Sequence, residues 1–176
     1  MIFPAQTNRL VLRAWRDEDF EDFAAMNADP RVMEFFPAPL TREESETFFA
    51  RIRNEFQAEG FGLYAVERIA DGLLLGYTGL HRVTFDGLCG QIEIGWRLRA
   101  DVWGNGYASE AALACFPLAA KLGIEEVIAF TTLSNQRSQR VMQKIGMECV
   151  GQFNHPALPE GHPLRRHILY WKGIKG

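Results

Sequence analysis

Cysteine is scarce in this chain: Cys89, Cys115 and Cys149 are the only three in 176 residues. They lie far apart, show no metal-ligand spacing and are odd in number. That excludes a disulfide scaffold and a cysteine-built metal site, and it suits a reducing compartment with buried thiols. An excess of positive charge is also missing, since 19 Lys and Arg stand against 22 Asp and Glu for a formal net charge of −3. No broad basic face is therefore expected for nucleic acid. The local clusters of Arg165, Arg166 and His167, and of Arg137 and Arg140, read as solvated surface. No apolar run is long enough to span a bilayer. The N-terminus lacks a charged segment followed by an apolar one, so no signal peptide is expected and a cytoplasmic location is. Repeats, low-complexity tracts and linkers are absent as well. A chain of 176 residues, 47% hydrophobic and 12% aromatic, is then expected to form a single domain over residues 1–176 with a substantial core.

What is present centres on residues 91–111. Ile92, Ile94, Trp96 and Leu98 alternate with their neighbours, which predicts a strand over 91–98. A helix is expected to begin near Tyr107, and Gly104 and Gly106 lie between the two. Glycine admits close backbone approach, and the first N–H groups of a helix point outward with partial positive charge. Strand, glycine turn and helix can thus cradle a phosphate with main chain alone. Two familiar nucleotide loops are excluded. No Lys follows Gly106, as the P-loop requires, and Ser109 stands where the dinucleotide fingerprint needs its third glycine. Two glycines by themselves fit a plain tight turn equally well.

Elsewhere the pattern predicts a first strand at Leu10, Leu12 and Ala14, then a helix capped by Asp17 with Phe20, Phe23, Ala24 and Asn27 facing inward. Thr41 and Glu44 form a capping-box signature for a second helix, with Phe49, Ile52 and Phe56 on one side. Strands are expected over 61–68 and 73–83, joined by a hairpin at Asp71-Gly72, and a second turn at Asp86-Gly87 leads into strand 91–98. A helix over 107–122 containing Pro117, a strand over 126–132, a helix over 135–145 and strands over 147–153 and 166–171 complete the chain. Strand, helix, strand around the glycine loop implies a parallel pair with a right-handed crossover.

Trp103-Gly104-Asn105-Gly106-Tyr107-Ala108, followed by Glu110-Ala111, Asn135-x-x-Ser138 and Lys144-Ile145-Gly146-Met147, resembles the GNAT superfamily of N-acetyltransferases, and the RimJ/RimL-like branch in particular. The segments at Asn8 to Arg13 and Asp29 to Met33 are similar to that branch too, so the likeness spans nearly the whole chain. The resemblance implies an α/β (α+β) fold: a mixed, mostly antiparallel sheet of about seven strands with about four helices, splayed at a central parallel pair after a bulge. It implies acetyl-CoA as cofactor and direct acetyl transfer to a primary amine, on a small molecule or a protein N-terminus. Neither a membrane nor a metal is called for, and the chain is expected as monomer or homodimer.

Carried over residue by residue, the resemblance gives the backbone of Trp96, Arg97 and Leu98 to the pantetheine arm. It gives Trp103, Gly104, Asn105, Gly106, Tyr107 and Ala108 to the pyrophosphate, and Asn135 and Ser138 to the arm and sulfur. Trp103 replaces the family's Gln or Arg, with Arg99 as a possible compensating cation. Glu93 interrupts an apolar strand, where an unpaired charge is unfavourable, and is the candidate general base; Arg82 is an alternative structural partner for it. Met142 stands where many relatives carry an acidic Tyr, which leaves Ser138 as candidate acid, although Asn135 and Ser138 also suit a helix cap. Phe35, Phe36, His81 and His155 are candidate acceptor contacts. The missing Tyr also keeps open a module that binds acyl-CoA without catalysis.

Overall fold

The computed structural model describes residues 4–174. Strand β1 (Ala5–Gln6) pairs with β2 (Leu10–Arg13), whose Leu10 and Leu12 are fully buried. A 3-10 turn, Asp17–Asp19, precedes α1 (Phe20–Ala28), so the helix proper starts two residues later than an Asp17 cap would place it. Asp19 is the reason: its carboxylate receives the Arg16 amide at 2.7 Å and both ends of the Arg13 guanidinium. This buried pair lowers the Asp19 carboxyl, because the bonds from Arg13 and Arg16 outweigh the cost of burial.

Helix α2 (Arg42–Glu59) begins at the expected capping box. The Thr41 amide donates to Glu44 at 2.7 Å and the Glu44 amide to the Thr41 hydroxyl at 3.2 Å. Phe49, Ile52 and Phe56 are buried, with Phe49 edge-on to Trp15 and tilted against Phe23, and Phe56 edge-on to Tyr64. Strands β3 (Leu63–Arg68), β4 (Leu74–Arg82) and β5 (Ile92–Leu98) follow in antiparallel order. Helix α3 (Tyr107–Lys121) carries Pro117 within it and covers the other face through Ala111, Ala112, Cys115 and Ala119. Then come β6 (Glu126–Thr132), α4 (Gln136–Lys144), β7 (Glu148–Asn154) and β8 (Arg166–Gly173).

The sheet has eight strands in the order β1-β2-β3-β4-β5-β6-β8-β7; the two-residue β1 is the strand that the hydrophobic pattern was too short to reveal. All neighbouring pairs are antiparallel except β5 with β6. That parallel pair is joined in register only at Glu93 and Ile128, after which the strands part. The expected bulge is not the cause: the β4–β5 ladder runs without a register shift from Gly76–Leu98 to Arg82–Ile92. Irregularities lie instead at Val66/Glu67 and Cys149/Gly151. The thiols also differ from expectation. Cys115 is buried, whereas Cys89 and Cys149 are exposed on a turn and on the edge strand β7.

Candidate active site

The gap between β5 and β6 presents main chain. Arg99 donates to Leu75 across the β4–β5 ladder, so alternation turns the peptide groups of Arg97, Gly95 and Glu93 toward β4. Those of Leu98, Trp96 and Ile94 face the gap. This corrects the expectation that Arg97 lends its backbone to a ligand arm; its peptide is held by β4 and only its side chain is available. The Leu98 carbonyl is also occupied, receiving the Trp103 indole N–H at 2.9 Å. Trp103 therefore ties the glycine loop to the strand from which it departs.

Gly104 and Gly106 both sit in the left-handed region, with φ of 80° and 79°, where a Cβ is strained. Together they roll the chain so that Glu110 is the first amide to donate back into the helix, to the Gly106 carbonyl. The preceding helical amides are left pointing outward. The Asn105 side chain folds inward onto the Val102 and Trp103 carbonyls, clearing the face of the loop. Outward amides at the positive end of a helix, with the Asn105 side chain folded away, fit a diphosphate; the Trp96 peptide and the Leu98 amide facing the gap fit the amides of a pantetheine arm. Arg99 is not a spare cation, being bonded to Asp101 at 2.7 Å.

Two further anchors fix the loop. Glu110 accepts from the Thr7 hydroxyl, the Arg9 amide and the Arg9 guanidinium, and Arg9 stacks over Tyr107 at 4.5 Å. Arg137 lies 4.3 Å over the Trp103 ring and 5.6 Å from that of Phe35, and pairs with Glu34 at 2.6 Å. Phe35 thus belongs to the loop's side of the site. Asn135 caps α4: its Oδ1 accepts the Ser138 amide and its Nδ2 donates to the Thr131 hydroxyl, both at 3.1 Å. One Oδ1 lone pair and one Nδ2–H are what its side chain retains for a ligand. Met142 is buried in the core and contributes nothing to the site.

On the opposite face of the sheet, where α1 and α2 pack, β4 and β5 bring Glu93 and His81 together. They are register partners, and His81 Nε2 is 2.7 Å from Glu93 Oε2. Arg82, the partner that sequence spacing suggested, turns away to Glu59. Burial pulls the His81 imidazole down, but the hydrogen bond and charge of Glu93 push it up further, and its net shift is upward. Beside this pair is a half-buried cluster of rings: Phe85, Phe130, Phe153, His155 and His167, with the two imidazoles 5.0 Å apart. Burial lowers both histidines, with the neighbouring His167 charge adding to the effect on His155. His155 therefore stands beside the His81–Glu93 pair in one wall of five rings, of which only this one stands out in the sequence. Two residues along β5 from Glu93 is Gly95, above which a Cβ would meet open space. Two further on, Arg97 projects among Phe36, Phe48 and Tyr77.

Residues 9–148 match the family model described as an acetyltransferase (GNAT) domain. The chain belongs to the GNAT acetyltransferase family. It is similar over 160 residues, at 30% identity, to a Bacillus subtilis (strain 168) protein named "uncharacterized N-acetyltransferase YnaD", covering 89% of this chain and 88% of that one. A GNAT-family acetyltransferase from Bacillus anthracis superposes with a TM-score of 0.81 at 27% identity, over 99% of this chain and 100% of the other. A RimL ribosomal L7/L12 alpha-N-protein acetyltransferase, solved with coenzyme A, has the same fold at 16% identity, with a TM-score of 0.79 and 98% coverage of both chains.

For a GNAT chain, the residues that sequence reading missed are those whose role depends on distant partners. The sequence pattern offers Arg97 for its peptide, Asn27 for a helix stripe and His167 for the surface. Only the alternation of Glu93, Gly95 and Arg97 along one strand could have signalled that the three share a face.

Proposed function

We propose that this acetyltransferase moves an acetyl group directly onto a primary amine, with Glu93 as general base and His81 as its partner. The observation that carries the reading is the His81–Glu93 contact of 2.7 Å at the last point where β5 and β6 are paired, beside the opening of the gap. Family membership brings acetyl-CoA as donor, and the outward amides after Gly104 and Gly106 suit its diphosphate. Bound acetyl-CoA supplies an activated thioester, so the N–C bond forms as the C–S bond breaks, with no acyl-enzyme and the thiol leaving with one proton.

This chain's residues supply position and proton transfer. The main chain of Trp96 and Leu98 orients the donor along the gap, and Trp103 holds the loop in place. Glu93 removes one proton from the attacking nitrogen. His81 steadies the carboxylate and sets the pH at which it is free to accept. Ser138, one turn into α4, is the proposed proton donor toward the departing sulfur, its hydroxyl regaining a proton from solvent as Glu93 gives one up. Phe36 and the wall of Phe85, Phe130, Phe153, His155 and His167 flank the acceptor and keep water from the reacting nitrogen. Release of free thiol from acetyl-CoA across a panel of primary amines tests the reading. Turnover with at least one amine, lost in Glu93→Gln while coenzyme A still binds, is the expected result. Binding of coenzyme A with no turnover on any amine would overturn it.

A further inference from the structure

Most arginines of this protein are matched to a carboxylate: Arg9 to Glu110, Arg13 to Asp19, Arg68 to Asp71, Arg82 to Glu59, Arg99 to Asp101. Among the described residues Arg97 makes no ion pair, although it is the one that projects from β5 on the face carrying Glu93. Its Nη1 donates to Asn27 Oδ1 at 2.7 Å, a neutral acceptor. Among the described residues its buried Nε has no partner, and neither has Nδ2 of Asn27, a side chain wholly removed from solvent. Two adjacent buried donors without acceptors are costly and call for an explanation.

The rings around Arg97 indicate what kind of ligand the site suits. Phe36, Tyr77 and Phe48 lie 4.4, 5.4 and 5.7 Å from the guanidinium carbon, contacts by which aromatic rings steady a guanidinium. Guanidinium donors lie in its plane, and the edge that includes Nε is the one that matches a carboxylate two-pronged. Phe36 is 42% exposed and stands on the irregular segment between α1 and α2, so approach to this edge is past its ring. Along the strand, Arg97 is two residues, about 7 Å, from Gly95 and four residues, about 13 Å, from Glu93. The floor between them is open, because a Cβ on Gly95 would touch nothing.

We propose that Arg97, with Asn27, is the specificity determinant for an acceptor that carries a carboxylate on the same small molecule as its amine, the amine standing over Gly95 within reach of Glu93. The assignment rests on the acetyl-transfer reading above and narrows its substrate class to amino-acid-like amines. Neutral amines, polyamines and internal lysines offer nothing to the unpartnered donors.

The test compares L-amino acids with their C-terminal amides, which keep the amine and remove the negative charge. With wild-type protein and acetyl-CoA, kcat/KM for at least one free amino acid should exceed that for its amide by about a hundredfold. Arg97→Gln should erase the ratio by slowing the acid far more than the amide, and Arg97→Lys should restore part of it. Calorimetric binding of the same pairs to the coenzyme A complex gives a second readout that needs no turnover, and melting curves check that each variant is folded. Amides acetylated as well as acids, or an unchanged ratio in Arg97→Gln, would overturn the anion site and leave the acetyl-transfer reading intact. Acid-selective binding that depends on Arg97, without turnover, would sustain the site and sink the catalytic reading. Absence of acid-selective binding and of turnover would end both.

Discussion

His81 Nε2 and Glu93 Oε2 meet at 2.7 Å across two adjacent strands, and the contact ties the state of the proposed base to pH. Burial lowers the imidazole, Glu93 raises it by hydrogen bond and charge, Glu55 on α2 adds to the rise and Arg51 opposes it. The outcome is a pKa above the ordinary 6.5. While His81 is protonated the carboxylate is neutralised by it, so kcat/KM is expected to rise with pH through this elevated pKa. Glu93→Gln removes the main upward push; the limb should move to lower pH and the plateau should fall by roughly 10²-fold or more. Full pH–rate profiles of both proteins check this, and a wild-type plateau in the variant would remove Glu93 as base. The stability linkage runs the opposite way. The pair's contribution is complete below 6.5 and is lost as pH rises through the folded-state value.

Gly106 separates backbone strain from electrostatics. At φ 79° any L side chain is strained, so Gly106→Ala should cost about 1–2 kcal/mol in stability. A Cβ there meets only Arg9 Nη2, at 3.7 Å, so the alanine itself is accommodated. Gly106→Glu carries the same strain and adds a negative charge where the diphosphate is proposed. Coenzyme A affinity should fall at least tenfold further than in the alanine variant, as read by calorimetry. Equal affinities would remove the loop from the cofactor site.

Glu110 clamps the first turn of α3 to the N-terminal strands. Burial alone would raise its carboxyl, but the bonds from Thr7 and Arg9 outweigh it and the pKa lies below the usual 4.5. Its stabilisation is therefore present above 4.5 and is lost as pH falls through the lowered folded-state value. Glu110→Gln should lower stability by about 1–3 kcal/mol at neutral pH, with the difference narrowing in acid. Urea unfolding at neutral and acid pH measures both effects.

Ser138→Ala distinguishes proton donor from helix residue. The Asn135 cap uses the Ser138 amide rather than its hydroxyl, so the substitution should leave melting temperature and coenzyme A affinity unchanged. If the hydroxyl protonates the departing sulfur, kcat should drop by about 10²-fold. An unaltered kcat would assign the residue to structure alone.

Thiol chemistry should divide the cysteines two to one. Burial pushes the Cys115 thiol up to about 12, while Cys89 and Cys149 are exposed. A disulfide reagent should titrate two thiols in the native protein and three after unfolding. Acetylation assays that read free thiol need a Cys89 and Cys149 background correction for this reason.

Much of the frame follows from short-range signals. The Thr41–Glu44 capping box, the glycines at 104 and 106 and the alternation of β5 are each written within a few residues, and each is found as expected. The two-residue β1 escaped because it is too short to show a period, and the bulge expected in β5 was imported from the resemblance and is not there.

The sequence by itself determined that a strand, a glycine turn and a helix follow one another, and that Glu93 and Arg97 share one face of that strand. Those are local facts of backbone sterics and of a side-chain period of two. Only the tertiary structure decided that Glu93 meets His81 rather than Arg82, that the Arg97 peptide belongs to β4, and that its guanidinium rests among rings from α2 and the segment before it. Such choices depend on strand register and helix docking between residues up to 70 positions apart, which no local pattern encodes.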